Sequence, residues 1–142
     1  MLVDSNILVY AINRRSPKHT AAKNFLKNNI GNLDVAHQNI FEALRVLTHP
    51  KFPSPMEIKD ALKAIADIVK ACRIICPNEQ THYVALLLIR KNKLISDQIF
   101  DAYLAATAIS NEIDTIATDN TRDFKKFKEI KLLNPFLKVT HN

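Results

Sequence analysis

Asp4, Glu42, Asp101 and Asp119 are the residues of this 142-residue chain whose types and settings could do chemistry. Each stands where a carboxylate is awkward. Asp4 closes the opening apolar run Met1-Leu2-Val3, Glu42 lies among Ile40, Phe41, Leu44 and Leu47, Asp101 among Phe100, Leu104, Ala105 and Ala108, and Asp119 just beyond Ile116-Ala117. An ionised carboxylate against an apolar wall needs a partner, because burying it alone is costly. Carboxylates gathered together repel and raise each other's pKa values, so a cluster calls for cations between its members. Mg²⁺, or Mn²⁺ in its place, suits such a donor set: it takes oxygen ligands and is typically held by one or two carboxylates plus substrate phosphate. A site of that kind activates water and stabilises charge on a phosphodiester during in-line displacement. That is the chemistry of a nuclease.

Singly, each acid also has a plainer reading. Glu42 can pair with Arg45 three residues on along a helix, Asp101 can be a hydrogen-bonded structural aspartate, and Asp119 can cap the short helix opened by Thr121. The elements decide between these readings, because they determine whether the acids meet.

Leu2-Val3 reads as a short buried strand that stops at Asp4. Helical spacing follows from Asn6 to Asn13 and, after Ser16-Pro17, from His19 to Asn28, which Gly31-Asn32 ends. His19 reads as a helix-start or surface histidine. Leu33 to Ala36 predicts the next strand and Gln38 to Thr48 a helix with Ile40, Phe41, Leu44 and Leu47 on one stripe. Prolines at 50, 53 and 55 make a rigid connection to an amphipathic helix over Pro55 to Lys70. Arg73 to Cys76 predicts a third strand, Glu79 to Lys91 a helix with Arg90, Lys91 and Lys93 at its end, and Ser96-Asp97 a cap for the helix that carries Asp101. Asp114 to Ala117 predicts a fourth strand, and Lys131 to Leu133 a last one at the sheet's edge.

Strands alternating with helices through short connections indicate an α/β fold, a parallel sheet covered on both faces. Ligands of such a sheet sit beyond the carboxyl ends of its strands. Asp4 and Asp119 directly follow strands, Asp101 opens a helix on the same rim, and Glu42 lies one turn into the helix after the second strand. Convergence of the four is the reading that accounts for all of them.

The bulk composition agrees with one compact domain. Apolar residues make up 47% of the chain, enough to bury a core at this length. Apolar runs end in charge well short of a bilayer-spanning length and no signal-peptide pattern opens the chain, so a cytoplasmic protein without membrane contact is expected. A net charge of +6 suits a polyanionic partner. A single glycine excludes the glycine-rich loops that cradle dinucleotides and nucleoside triphosphates. Cys72 and Cys76 lack the histidine company and paired spacing of a zinc site and read as buried reduced thiols.

From Met1 to about Pro135 the chain resembles the PIN-domain ribonucleases, and within them the VapC-type toxins of toxin–antitoxin pairs. The resemblance rests on Leu-Val-Asp-Ser-Asn-Ile-Leu-Val-Tyr at the start, Ser16-Pro17 with His19, Glu42 in Phe-Glu-Ala-Leu-Arg-Val-Leu, Asp101 in Phe-Asp-Ala-Tyr-Leu-Ala-Ala, and Thr-Asp-Asn-Thr-Arg-Asp-Phe from Thr118. It implies a three-layer α/β/α fold with a short central parallel sheet over residues 1–136, with 137–142 a frayed tail. It places the first three acids at Asp4, Glu42 and Asp101, with Asp4 and Asp101 as metal ligands for Mg²⁺ or Mn²⁺. The fourth falls on Asp119 or Asp123, and Asp119 is preferred because it follows the strand directly. Asn6 would support Asp4 by hydrogen bonding, and Asp97 is an outer acid or only a helix cap. RNA as substrate, a homodimer, and a small antitoxin that inserts a segment near the acids are further implications of the resemblance. Two alternatives stay open: a PIN-type RNA-processing nuclease without antitoxin, and a non-catalytic nucleic-acid-binding domain.

Overall fold

Every strand in this protein is two or three residues long, so the sheet depends on being covered on both faces. The structure is a computed structural model describing residues 1–137. The tail expected to fray lies, apart from Leu137, outside the described residues. The elements run β1 (Leu2–Val3), α1 (Ser5–Ile12), α2 (His19–Asn28), β2 (Asp34–Ala36), α3 (His37–Thr48), α4 (Ile58–Val69), β3 (Arg73–Ile75), α5 (Thr81–Asn92), α6 (Gln98–Ser110), β4 (Thr115–Ala117), α7 (Thr121–Phe124) and β5 (Lys131–Leu133). The five strands form one parallel sheet in the order β3-β2-β1-β4-β5. β5, Lys131–Leu133, is at the edge, as expected of the last strand before Pro135.

β1 is central, and both of its residues are fully buried. Side chains alternate across a strand, so Leu2 joins one core with Leu88, Leu104, Phe124 and Phe127, while Val3 joins the other with Ile7, Leu8, Leu47 and Ile65. Helices α1 to α4 thus cover one face and α5 to α7 the other, giving the three-layer α/β/α fold. Ala102, Ala105, Ala106 and Ala108 on α6 are all buried; their small side chains let that helix lie close to the sheet. α2 ends at Asn28 with Asn29 as its cap, and Gly31 in the turn that follows has φ +91°, the left-handed geometry that favours glycine. No helix among the described residues is long and apolar enough to cross a membrane.

Four local expectations need correcting. α4 begins at Ile58, not Pro55: Pro53 and Pro55 interrupt the backbone donors, and Ser54 between them has φ +62°. Neither Ser96 nor Asp97 caps α6 with its side chain. Ser96 is left-handed (φ +54°), and backbone carbonyls of Ser96 and Asp97 take the N–H groups of Ile99 and Phe100 at 3.0 and 3.1 Å. Phe100, expected to face the core, is 62% exposed, whereas Leu104, Ala105 and Ala108 are buried as predicted. Cys76 is exposed with its sulfur 3.4 Å from Nε2 of His37, so it does have histidine company; Cys72 is partly buried, and burial pushes its thiol up.

Candidate active site

The parallel register builds the site. Leu2 lies opposite Ile116 and Val3 opposite Ala117, so the next residues, Asp4 and Thr118, leave the sheet side by side. Asp4 ends β1 in extended geometry and becomes the N-cap of α1, accepting from the Ser5 amide at 2.7 Å. Its other oxygen accepts from Thr118 Oγ1 at 2.7 Å and from Asn6 Nδ2 at 3.2 Å, and Asn6 Nδ2 also donates to Thr118 Oγ1 at 3.1 Å. The support expected of Asn6 is therefore present. Thr118, fully buried, is a holder of Asp4 that sequence reasoning passed over; its position directly after a strand was the available signal.

Glu42 reaches Asp4 through one hydroxyl. Ser5 Oγ lies 3.1 Å from Glu42 Oε2 and 3.4 Å from Asp4 Oδ1. Glu42 Oε1 accepts from Gln38 Nε2 at 2.8 Å, and the pairing with Arg45 considered from sequence is not formed. Asp101 sits in the first turn of α6, at the positive end of that helix.

The electrostatics show how these acids see one another. Burial pushes the Asp4 carboxyl up, against hydrogen bonds from Thr118 and Ser5, and the charge of Glu42 adds to the rise. The Asp101 carboxyl is pushed up to about 6, first by burial, then by Asp123, Asp4 and Glu42, with Lys126 pulling the other way. Asp4, Glu42, Asp101 and Asp123 thus share one field, and among the described residues none of the four forms a salt bridge.

Asp119 behaves differently. Its carboxylate is ion-paired with Lys18 and accepts from Tyr10 Oη at 2.9 Å. Burial raises its pKa, but the bonds from Lys18 and Tyr10 outweigh that and hold it below the usual range. Burial, and then the same contact with Asp119, pushes the Tyr10 hydroxyl up to about 12. Lys18 lies 5.3 and 5.2 Å from the ring centroids of Tyr10 and Phe136, which fixes the cation between two aromatic faces. Asp123, one helical turn onward in α7, is bonded to Asn120 and is the acid that bears most on Asp101. Asp97 precedes α6 and takes no part in these contacts. His19 is structural, with Nδ1 3.0 Å from the Tyr10 carbonyl.

The donors fit a hard divalent cation, being all carboxylate oxygens without cationic partners. They do not form a closed cage: among the described residues no three His, Cys, Asp or Glu side chains stand together tightly enough to hold an ion. Like charges without a counter-ion stand apart, and Mg²⁺ needs only one or two carboxylates when phosphate completes its shell.

Comparison with known proteins agrees with this architecture. The model of the PIN domain family matches residues 1–130. Ribonuclease VapC24 of Mycobacterium tuberculosis is 29% identical over 137 residues, with 94% of each chain covered. Among solved structures, VapBC2 from Rickettsia felis, bound to a DNA fragment from its promoter, superposes with a TM-score of 0.72 at 20% identity, covering 94% of this chain and 96% of that one. VapC20 of Mycobacterium tuberculosis, described as a sarcin-ricin loop cleaving toxin, superposes with a TM-score of 0.67 at 17% identity, covering 91% and 97%.

Proposed function

From the premise that this chain belongs to the PIN-domain family, we propose that it is a metal-dependent endoribonuclease, the toxin of a VapBC-type toxin–antitoxin pair. The observation that carries the reading is the set of acids at the sheet's carboxyl rim that form no ion pair among the described residues, with burial and then the neighbouring acids pushing the Asp4 and Asp101 carboxyls up. Groups held in that state are more useful to a ligand than to the fold. The relatives named ribonucleases support RNA as the substrate, and the solved toxin–antitoxin complexes support an antitoxin partner.

In this reading Asp4 and Asp101 hold Mg²⁺ or Mn²⁺, and Glu42 completes the pocket directly or through water. The ion supplies Lewis acidity toward a phosphate oxygen and toward the attacking water. Thr118, Asn6 and the Ser5 amide keep the Asp4 carboxylate in one orientation, so it is preorganised before substrate arrives. We place the fourth acid at Asp123, the acid whose charge bears most on Asp101. Asp119 can orient a water only when Lys18 releases it. Lys126, set against Asp101 in charge, and the exposed Lys125 and Lys128 give the RNA backbone cations beside the acids.

Two surface features support the partners. A cavity of 530 Å³ among α1 to α4 has Leu47, Met56 and Ile68 on its walls and Arg14, Arg15 and Lys23 at its rim, a match for an amphipathic acidic segment of an antitoxin. Tyr83, Leu86 and Leu87 form a stripe on α5, each more than 60% exposed, which suits a homodimer.

The test is cleavage of a mixed structured RNA by purified protein with Mg²⁺, with Mn²⁺ and with EDTA, beside Asp101→Asn. Discrete cuts that need both metal and Asp101 are expected. RNA bound but uncut under every condition would favour a binding domain instead.

A further inference from the structure

The geometry points to Gln38 as a positioning residue that ties Glu42 to the Asp101 end of α6 and so sets the spacing of the acids across the metal pocket; this rests on the nuclease reading above. Gln38 is the second residue of α3, one turn before Glu42. An i,i+4 pair on a helix is ordinary, but this one does not stop there. The same Nε2 that donates to Glu42 Oε1 at 2.8 Å also lies 3.2 Å from the carbonyl of Phe100, the residue before Asp101. An amide NH₂ has two hydrogens, and here each serves a different acid-bearing helix. The bridge joins parts of the chain 62 residues apart.

The other end of the same amide shows that this arrangement is held against a local cost. Oε1 of Gln38 is buried and has no hydrogen-bond partner among the described residues. Turning the amide over would not relieve it, because the oxygen would then face the Glu42 carboxylate and the Phe100 carbonyl, both acceptors. A buried acceptor left unsatisfied is uncommon in native structures and calls for a reason. The reason here is that both Glu42 and α6 need the donor side.

With Gln38 in place the acids are joined by neutral donors in sequence. The Phe100 carbonyl takes one hydrogen of Gln38 and Glu42 the other, and Ser5 Oγ stands between Glu42 at 3.1 Å and Asp4 at 3.4 Å with a single hydrogen to give to one or the other. No cation is consumed, so the negative field on which a divalent ion depends is left intact. A lysine or arginine here would give the same span but neutralise the pocket.

The test uses the full chain with two variants. Gln38→Met keeps length and approximate volume and removes the amide; Gln38→Ala keeps helix propensity and cannot overfill the site. Mn²⁺ binding is read directly from free Mn²⁺ by electron paramagnetic resonance without RNA, and cleavage is read separately as kcat and KM. We expect Mn²⁺ half-saturation to rise about 10- to 100-fold and kcat to fall over a similar range, as when outer-shell partners of metal sites are removed. The melting temperature should hold or rise in Gln38→Met, because the orphaned oxygen goes with the amide. Mn²⁺ binding at the wild-type level in both variants would overturn the inference, as would a loss that merely follows a fall in melting temperature. Wild type and Asp101→Asn in the same series separate the two ideas: if the wild type does not cleave, the nuclease reading fails; if Asp101→Asn still cleaves, the site lies elsewhere; and if Asp101→Asn alone is inactive, only the role of Gln38 fails.

Discussion

Two aspartates at opposite ends of neighbouring strands are almost equally buried and could hardly be treated more differently. Asp4, beyond the carboxyl end of β1, is 6% exposed; Asp34, at the start of β2, is 7% exposed. Asp34 is bonded to the Arg73 side chain at 2.6 Å and to the Met1 ammonium at 3.0 Å. Among the described residues Asp4 is met only by the neutral groups of Thr118, Asn6 and Ser5, and it shares its field with Glu42 and Asp101. Neutral donors orient a carboxylate without cancelling its charge, whereas two cations consume it. The contrast separates an acid kept for a ligand from an acid that fastens two strands and the chain's first residue together.

The sharpest way to break the contrast is to neutralise each side. Asp4→Asn or Asp101→Asn should lower RNA cleavage by more than about 100-fold, beyond what loss of an outer-shell partner costs, while the fold survives. Wild-type cleavage by either purified variant would place the site elsewhere. Asp34→Asn should leave cleavage unchanged and cost about 1–2 kcal/mol in denaturant unfolding, a charge-assisted bond discounted for the exposed Arg73. Loss of cleavage without loss of stability would undo the division between the two ends.

Within the rim, Asp123→Asn should reduce cleavage by about 10-fold or more, and Asp119→Asn by less, because Asp119 already has Lys18. The reverse order would restore Asp119 as the fourth acid. A subtler effect concerns pH. The Asp101 carboxyl is raised to about 6 in the folded protein, so between the ordinary aspartate range and pH 6 the native state binds more protons than the unfolded chain. Stability contributed by this group is therefore greatest at low pH and falls as pH rises through that window. In metal-free buffer the melting-temperature advantage of Asp101→Asn over wild type should be near zero at pH 4 and reach its maximum above pH 6. A difference independent of pH would mean that neither burial nor the neighbouring acids raise the Asp101 carboxyl.

The legibility of the chain varied with the range of the interactions involved. Every strand and helix around the acids followed from local signals: apolar pairs ending at a charge, 3.6-residue periodicity, a glycine after α2. The failures were also local in kind. Ser96-Asp97 has the composition of a cap but the wrong backbone angles, and Phe100 matches an apolar stripe yet is exposed. Cys76 could not be seen to meet His37, since β3 and α3 are brought together only by the pairing of β2 with β3.

By itself, the sequence determined that acids stand at strand ends and helix starts, and that alternating elements make a parallel sheet with one common rim. Those are consequences of backbone periodicity, which a short window contains. Only the tertiary structure decided which carboxylates see each other. Asp119 and Asp123 are the same residue type four positions apart, but one pairs with Lys18, 101 residues away, and the other is the acid whose charge bears most on Asp101. Thr118 meets Asp4 across 114 residues and Gln38 meets Phe100 across 62. Partners in hydrogen bonds and ion pairs are selected over a few ångströms of space, and only strand register and helix packing define that distance.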